Sequence, residues 1–417
     1  MSESGAVPLP NGSGTDPFKG QTVKWGSMNA SPAPQRPDSA RSVPLNFGLA
    51  HKVASFITPG GPRLEDQRKR SAVEDMRYAA TAAVDHVYNI TGLDAAHNLH
   101  DSELLIVDRA TWVQANAQSF DVMLGPVAEE VLGSKLEHLT DTQYAITEVG
   151  GATELGAVLG FLSTRVLGQY DPYAALAGHG ASGGRLMIVA PNLVQLEKEL
   201  NLVPADFRLW VALHEQTHRV QFAAAPWLRD YLLATMHDLA RELGQVTENL
   251  PERLASAATG AVRGMKNREA LGEGTPAPGV TALLSPEGKE LMDRVTAIMS
   301  LLEGHANVVM DAVDGSIVPS VKTIRRRFER RGKNQGFFPR FMGKLLGMDA
   351  KMLQYKNGQK FVQYIVDQVG MGDFNRIWES PENLPAATEI TRPQAWIDRV
   401  LGAAPAKTIS AQTIPEN

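Results

Sequence analysis

His214-Glu215-Gln216-Thr217-His218 sets two imidazoles four positions apart, with a carboxylate beside the first. On an α-helix, residues four apart share one face, one turn from each other, so both rings reach a single metal ion. Glu215 is then placed to hold a water at that metal and to act as its general base. The surrounding segment, Asp206 to Phe222, contains no Gly or Pro. Phe207, Trp210, Val211, His214, His218 and Gln221 fall on or near one stripe at helical spacing, so the histidines continue an apolar, inward face. The alternative is a buried helix with hydrogen-bonded core histidines, which leaves Glu215 without a role. Arg219 is charged at the position after the second histidine and is expected to point away from the metal.

A catalytic zinc takes three protein ligands and keeps a fourth position open. The chain has no cysteine, so the third ligand comes from His, Asp or Glu. Ser285-Pro286 is a helix start, Ser as N-cap and Pro at the first helical position, and the helix is expected to run to about Val313. On it, Glu303 sits among Met299, Leu302, Ala306 and Met310, and a carboxylate on a buried face needs a partner or a cation. His305 is the rival ligand. Positions two apart on a helix diverge by about 200°, so Glu303 and His305 do not serve one site together. Asn307 and Asp311 are candidates to accept the free ring N–H of a ligating histidine. His305 and Tyr355 are candidate donors to the negative oxygen that forms when water attacks a carbonyl.

Other elements must hold these groups. The 417 residues suffice for a large core, and 41 Lys and Arg against 46 Asp and Glu leave a net charge of −5, so no general attraction to nucleic acid is expected. Residues 1–44 and 404–417 read as low-complexity tails, leaving 45–403 as a catalytic domain of one or two lobes around a cleft. Long helices are expected over Leu64–Tyr88, from beyond Asp108 to Leu132, over Thr153–Leu167 and over Trp227–Leu243, with residues 244–284 as an excursion. Leu104–Asp108 and Arg185–Ala190 read as strands, and Pro191 and Pro204 open the next two helices. The fold class is therefore α+β, predominantly helical, with a small sheet beside the metal-motif helix. Arg185–Ala190, just ahead of that helix, is expected at a sheet edge where an extended peptide pairs by backbone hydrogen bonds. Neither an export signal nor a membrane span is expected, which points to a cytoplasmic chain.

Two further patterns carry less. Gly178-His-Gly-Ala-Ser-Gly183 matches the spacing of a nucleotide loop, but it precedes a strand and does not open a helix, so no helix N-terminus meets a phosphate. Arg325-Arg-Arg-Phe-Glu-Arg-Arg331 reads as a solvated helix end, with an anionic surface or a substrate carboxylate as the other readings.

Several longer segments carry a resemblance. Arg185 to Val194, Asp206 to Phe222, Leu302 to Ala312, Phe374 to Leu384 and Val166-Leu-Gly-Gln-Tyr-Asp-Pro172 together resemble a zincin-like family of zinc metalloproteases, over roughly residues 45–402. One branch of that family is named for association with biosynthesis of a deazaflavin redox coenzyme. The resemblance implies a zincin-like fold, a Zn²⁺ cofactor held by His214 and His218 with Glu303 as the glutamate ligand, and Glu215 as general base. The expected activity is hydrolysis of peptide bonds. An amidase acting on a small molecule and an inactive binding scaffold on the same fold are the alternatives.

Overall fold

The computed structural model describes residues 46–136, 138–248, 284–332 and 355–402. The expected tails, nearly all of the 244–284 excursion and the basic residue Lys333 lie outside them. The elements in order are α1 (Phe47–Ile57), α2 (Asp66–Thr91), β1 (Glu103–Val107), α3 (Arg109–Leu136), α4 (Asp141–Ser163), β2 (Gly168–Asp171) and β3 (Arg185–Val189). They continue as α5 (Ala190–Glu199), α6 (Pro204–Ala224), α7 (Leu228–Glu248), α8 (Pro286–Ala312), α9 (Val321–Gly332), α10 (Tyr355–Phe374), α11 (Ala387–Thr391) and α12 (Pro393–Val400). The result is a mostly helical α+β fold with one three-stranded sheet.

The sheet order is β1-β3-β2, with β1 parallel and β2 antiparallel to β3. This corrects the expectation for Arg185–Ala190: the strand is central, not an edge. The physical reason is legible in its composition. Leu186-Met-Ile-Val189 is apolar without alternation and all five residues of the strand are buried, the pattern of a strand covered on both faces. Arg185, at its start, is only 1% exposed and is paired with Asp171 of β2 at 3.0 Å. It also donates to Gln118 Oε1 and the Ala115 carbonyl of α3, so the ion pair ties two strands to a helix. The edge beside the metal-motif helix is β2, a short polar stretch that alternation does not reveal.

Helix α4 also departs from expectation. It starts twelve residues earlier than Thr153, at Asp141, because Thr140 and Gln143 form a capping box. It stops at Ser163, and the chain then turns into β2. At 23 residues, with mean hydropathy 1.2 over its most apolar window, α4 is long and apolar enough to cross a membrane by length and composition. In the fold it packs on α1 and α3.

The largest apolar cluster runs through α2, α5, α6, α8, α10 and the C-terminal helices, and α6 lies within it. Phe207, Val211, Ala212, Leu213 and Val220 of α6 are at most 3% exposed. Burying each of the larger of these side chains contributes about 1.5–3 kcal/mol. The polar side chains of α6 lock it from its other faces. Arg208 forms two bonds to Glu197 and one to Asp75, Gln216 donates to the Ala80 carbonyl, and Arg219 donates to Ser102 and the Leu99 carbonyl. Arg219 thus faces the β1 approach, away from the histidines, as expected.

Two arginines of α9 have an internal task, while Arg326 and Arg330 are exposed. Arg325 donates to the carbonyls of Met310, Asp311 and Val313, where α8 ends. Arg327 donates to the carbonyls of Leu200 and Asn201, where α5 ends. A cation on the last carbonyls of a helix satisfies otherwise unpaired acceptors and opposes the negative end of its dipole. These two guanidiniums therefore join elements of the fold, and the reading as a solvated helix end does not describe them.

Candidate metal centre

Helix α6 opens with Pro204 at its first turn, and its inward stripe brings His214 and His218 to one side. Their ring centroids are 4.9 Å apart and their planes nearly perpendicular, at 79°. Helix α8, capped by Ser285 on the Gly288 N–H, crosses α6 and carries Glu303 to the same place. Glu303 Oε1 stands 3.6 Å from His218 Nε2, and Oε2 stands 3.8 Å from His214 Nε2. One ligand atom from each of the three residues lies within 4.8 Å of the others.

These separations exceed a hydrogen bond. They approach those of ligand atoms on a common ion: tetrahedral bonds of about 2.0–2.2 Å set ligand atoms about 3.3–3.6 Å apart. Two imidazole nitrogens and a carboxylate are also a donor set suited to zinc. The Glu303 side chain is 24% exposed, so the cluster is half-buried and reachable from solvent. The residues present fit a zinc ion.

Glu215 lies beside this cluster, its Oε1 3.6 Å from His214 Nδ1, with the side chain 12% exposed. It leans on β2. A Cβ at Gly168 would come 2.6 Å from Glu215 Cγ and 2.9 Å from Cδ, so only glycine permits the approach at that position. Sequence reading singled out Glu215 but gave no signal that Gly168, at the first position of an unrecognised strand, is its seat.

Burial pulls the His214 imidazole down, but contact with Glu215 and the charges of Glu215 and Glu303 outweigh it and hold the group at about 9. In the absence of metal His214 therefore carries a proton at neutral pH.

His305 is placed otherwise than expected for a donor in the cleft. It is 0% exposed, and its ring lies 5.4 Å from the Phe374 ring and 5.4 Å from the Trp378 ring. Burial, and after it the nearness of His218, bring it down to about 3, so it is neutral. The 200° divergence from Glu303 sends the two side chains to opposite media: Glu303 toward solvent, His305 to the core. The structure therefore sets His305 in the core, outside the His214, His218 and Glu303 cluster, against both roles expected of it. Tyr355 opens α10, but its side chain lies outside the described residues. The backbones of α8 and α10 meet at Gly304 and Gly358, next to Glu303, where neither glycine has room for a Cβ.

The expected partners of the histidine N–H are also replaced. Asp311 is exposed and accepts from Gln359 Nε2, and no hydrogen bond joins Asn307 to either histidine. The residue that meets His218 is Gln221, whose Oε1 lies 2.9 Å from His218 Nδ1. The signal for it was present: Gln221 falls on the histidine stripe, three residues after His218. Trp210, one turn before His214, packs with Phe207 and Phe328 to form an apolar wall on that same side of α6.

Residues 45–397 match the family model of zincin-like metallopeptidases, at the level of the family and not of the deazaflavin-associated branch. Among solved structures, the chain is similar to a protein from Chloroflexus aurantiacus that has been proposed to be a hydrolase with a novel fold. The two are 28% identical with a TM-score of 0.58, over 85% of this chain and 98% of that one. No curated protein matches. The family model spans all of the described core and the whole His-Glu cluster, and on that ground this chain belongs to the zincin-like metallopeptidases, a family of metallohydrolases.

Proposed function

We propose that this protein is a zinc-dependent peptidase in which His214, His218 and Glu303 hold the metal and Glu215 is the general base. The observation that carries the reading is the meeting of the three ligand atoms within 4.8 Å, with the Glu215 carboxylate at their flank. When bound, a zinc ion supplies Lewis acidity and lowers the pKa of a coordinated water toward about 7. Glu215 takes the proton of the attacking water and returns it to the leaving amine. Half-burial of Glu215 and Glu303, with Glu215 against β2, limits competing water and strengthens each charge interaction.

The choice of a peptide over a small amide is supported by β2. Among the described residues it pairs only with β3, so its outer edge offers backbone groups to an extended chain beside Glu215. The role expected of β3 thus passes to β2. A complex with a peptide analogue that stays clear of β2 would refute this placement.

The deciding experiment is metal analysis with peptide-library cleavage by the wild type and by Glu215→Ala. The expected result is one zinc per chain in both proteins and hydrolysis in the wild type only. Turnover retained by Glu215→Ala sinks the assignment of the base. Tightly bound zinc with no hydrolysis by the wild type favours the binding scaffold, and cleavage of small amides but no peptide favours the amidase.

A further inference from the structure

Gln221 is fully buried at the junction of α6 and α8, and each atom of its amide has a partner. Nε2 donates to the Leu302 carbonyl at 2.9 Å and lies 3.0 Å from His305 Nδ1. A backbone carbonyl only accepts, so the amide atom facing Leu302 is the nitrogen. The atom facing His218 is then the oxygen, and an oxygen there requires a hydrogen on His218 Nδ1. The second amide hydrogen points to His305, whose Nδ1 must be bare to receive it. A proton on that nitrogen would set N–H against N–H, with no acceptor between them.

His305 is itself fixed. Phe374 and Trp378 flank its ring, and both belong to the Phe374–Leu384 segment, which has no other part in the site. That segment is in turn held by Asn375, which donates to the Thr91 carbonyl at the end of α2.

We propose that Gln221 is a positioning residue that fixes His218 in the Nδ1–H tautomer, and that His305, clamped by Phe374 and Trp378, anchors the amide that does so. The tautomer leaves the lone pair of His218 on Nε2, the atom that faces Glu303. A hydrogen bond at the far nitrogen of a ligating histidine sets both ring orientation and basicity, and its loss costs about 10- to 100-fold in metal affinity. The assignment builds on the metal-site reading above and gives the aromatic C-terminal segment a task within it.

Long-range proton–nitrogen NMR of protein labelled with ¹⁵N-histidine tests the inference without reference to turnover. In the zinc-loaded wild type the expected pattern is His218 protonated at Nδ1 and His305 protonated at Nε2. His218 protonated at Nε2, or His305 at Nδ1, overturns the inference. In Gln221→Leu the His218 Nδ1 proton should lose its protection from solvent exchange, and zinc affinity should fall about 10- to 100-fold. Wild-type zinc affinity in a folded Gln221→Leu protein also overturns it. Should that variant fail to fold, the wild-type spectrum decides by itself. A wild type that binds no zinc defeats the metallohydrolase reading, and the spectrum of the metal-free protein at alkaline pH then decides whether Gln221 sets the His218 tautomer.

Discussion

Asp171, at the end of the sheet, and Glu303, beside the histidines, are both carboxylates withdrawn from water, and their partners differ. Asp171 is 2% exposed; one oxygen accepts from Arg185 at 3.0 Å and Ser119 at 2.7 Å, and the other from the Tyr173 backbone N–H at 3.0 Å. Glu303 has two imidazoles standing off at 3.6 and 3.8 Å, beyond hydrogen-bond reach. A withdrawn carboxylate with complete hydrogen bonds holds elements together. One whose partners stop short at the spacing of a shared ion leaves room for a cation. The completeness of its partners, more than the burial of the group, separates the structural acid from the candidate ligand.

Exchanging the two acids in turn breaks the comparison or sharpens it. Glu303→Ala is expected to bind zinc far more weakly and to lose hydrolysis by at least about a thousandfold, the scale of losing one strong transition-state contact. Its metal-free fold should lose only the modest share of stability that Glu303 lends to protonated His214, and a strongly destabilised variant would mean that Glu303 is a structural group like Asp171. Asp171→Ala should do the reverse. It strands Arg185 in the core and is expected to destabilise the fold by about 3–5 kcal/mol in denaturant titration, with zinc affinity of the folded protein unchanged.

A smaller effect is expected at Gly168→Ala, which pushes Glu215 off its seat on β2. Misplacing a catalytic group by about 1 Å costs on the order of a hundredfold, so kcat should drop by that scale while zinc content stays at the wild-type level. Unchanged kcat would separate Glu215 from the reacting water.

The mildest prediction concerns pH. His214 is held at about 9, above the ordinary histidine value of 6.5. Its protonated form therefore stabilises the metal-free fold fully below about pH 6.5, and that contribution is lost as pH rises through about 9. Zinc takes the neutral imidazole, so binding at pH 7.5 should release about one proton from His214, beyond what the coordinated water loses, and affinity should rise with pH until about 9. Calorimetry in buffers of different ionisation enthalpy counts that proton. A count of zero beyond that water removes the proton assigned to His214.

Much of the site was legible because helical spacing is local. His214 and His218 share a face by the pitch of one helix, with Glu215 next in the chain to the first, and Ser285-Pro286 fixed the start of the second. The long helices and the two apolar strands were legible for the same reason. Residues whose role depends on a neighbour distant in sequence were not. β2 is four residues long and polar, and it is a strand because β3 pairs with it. Arg325 and Arg327 read as a charged helix face until the ends of α8 and α5 arrive beside them.

The sequence by itself determined the chemistry on offer: two imidazoles and a carboxylate in one helical turn, no thiol to compete, and a second helix with one carboxylate on an apolar face. Tertiary structure decided which of Glu303 and His305, two positions apart on that second helix, meets the histidines. Periodicity separates their directions by about 200° but carries no information on which direction faces the histidines. That was settled by the packing of α8 between α6 and α10, which puts Phe374 and Trp378 around His305 and leaves Glu303 facing His214 and His218. The helix pitch is a property of the backbone, whereas the side that meets solvent is a property of everything packed against it.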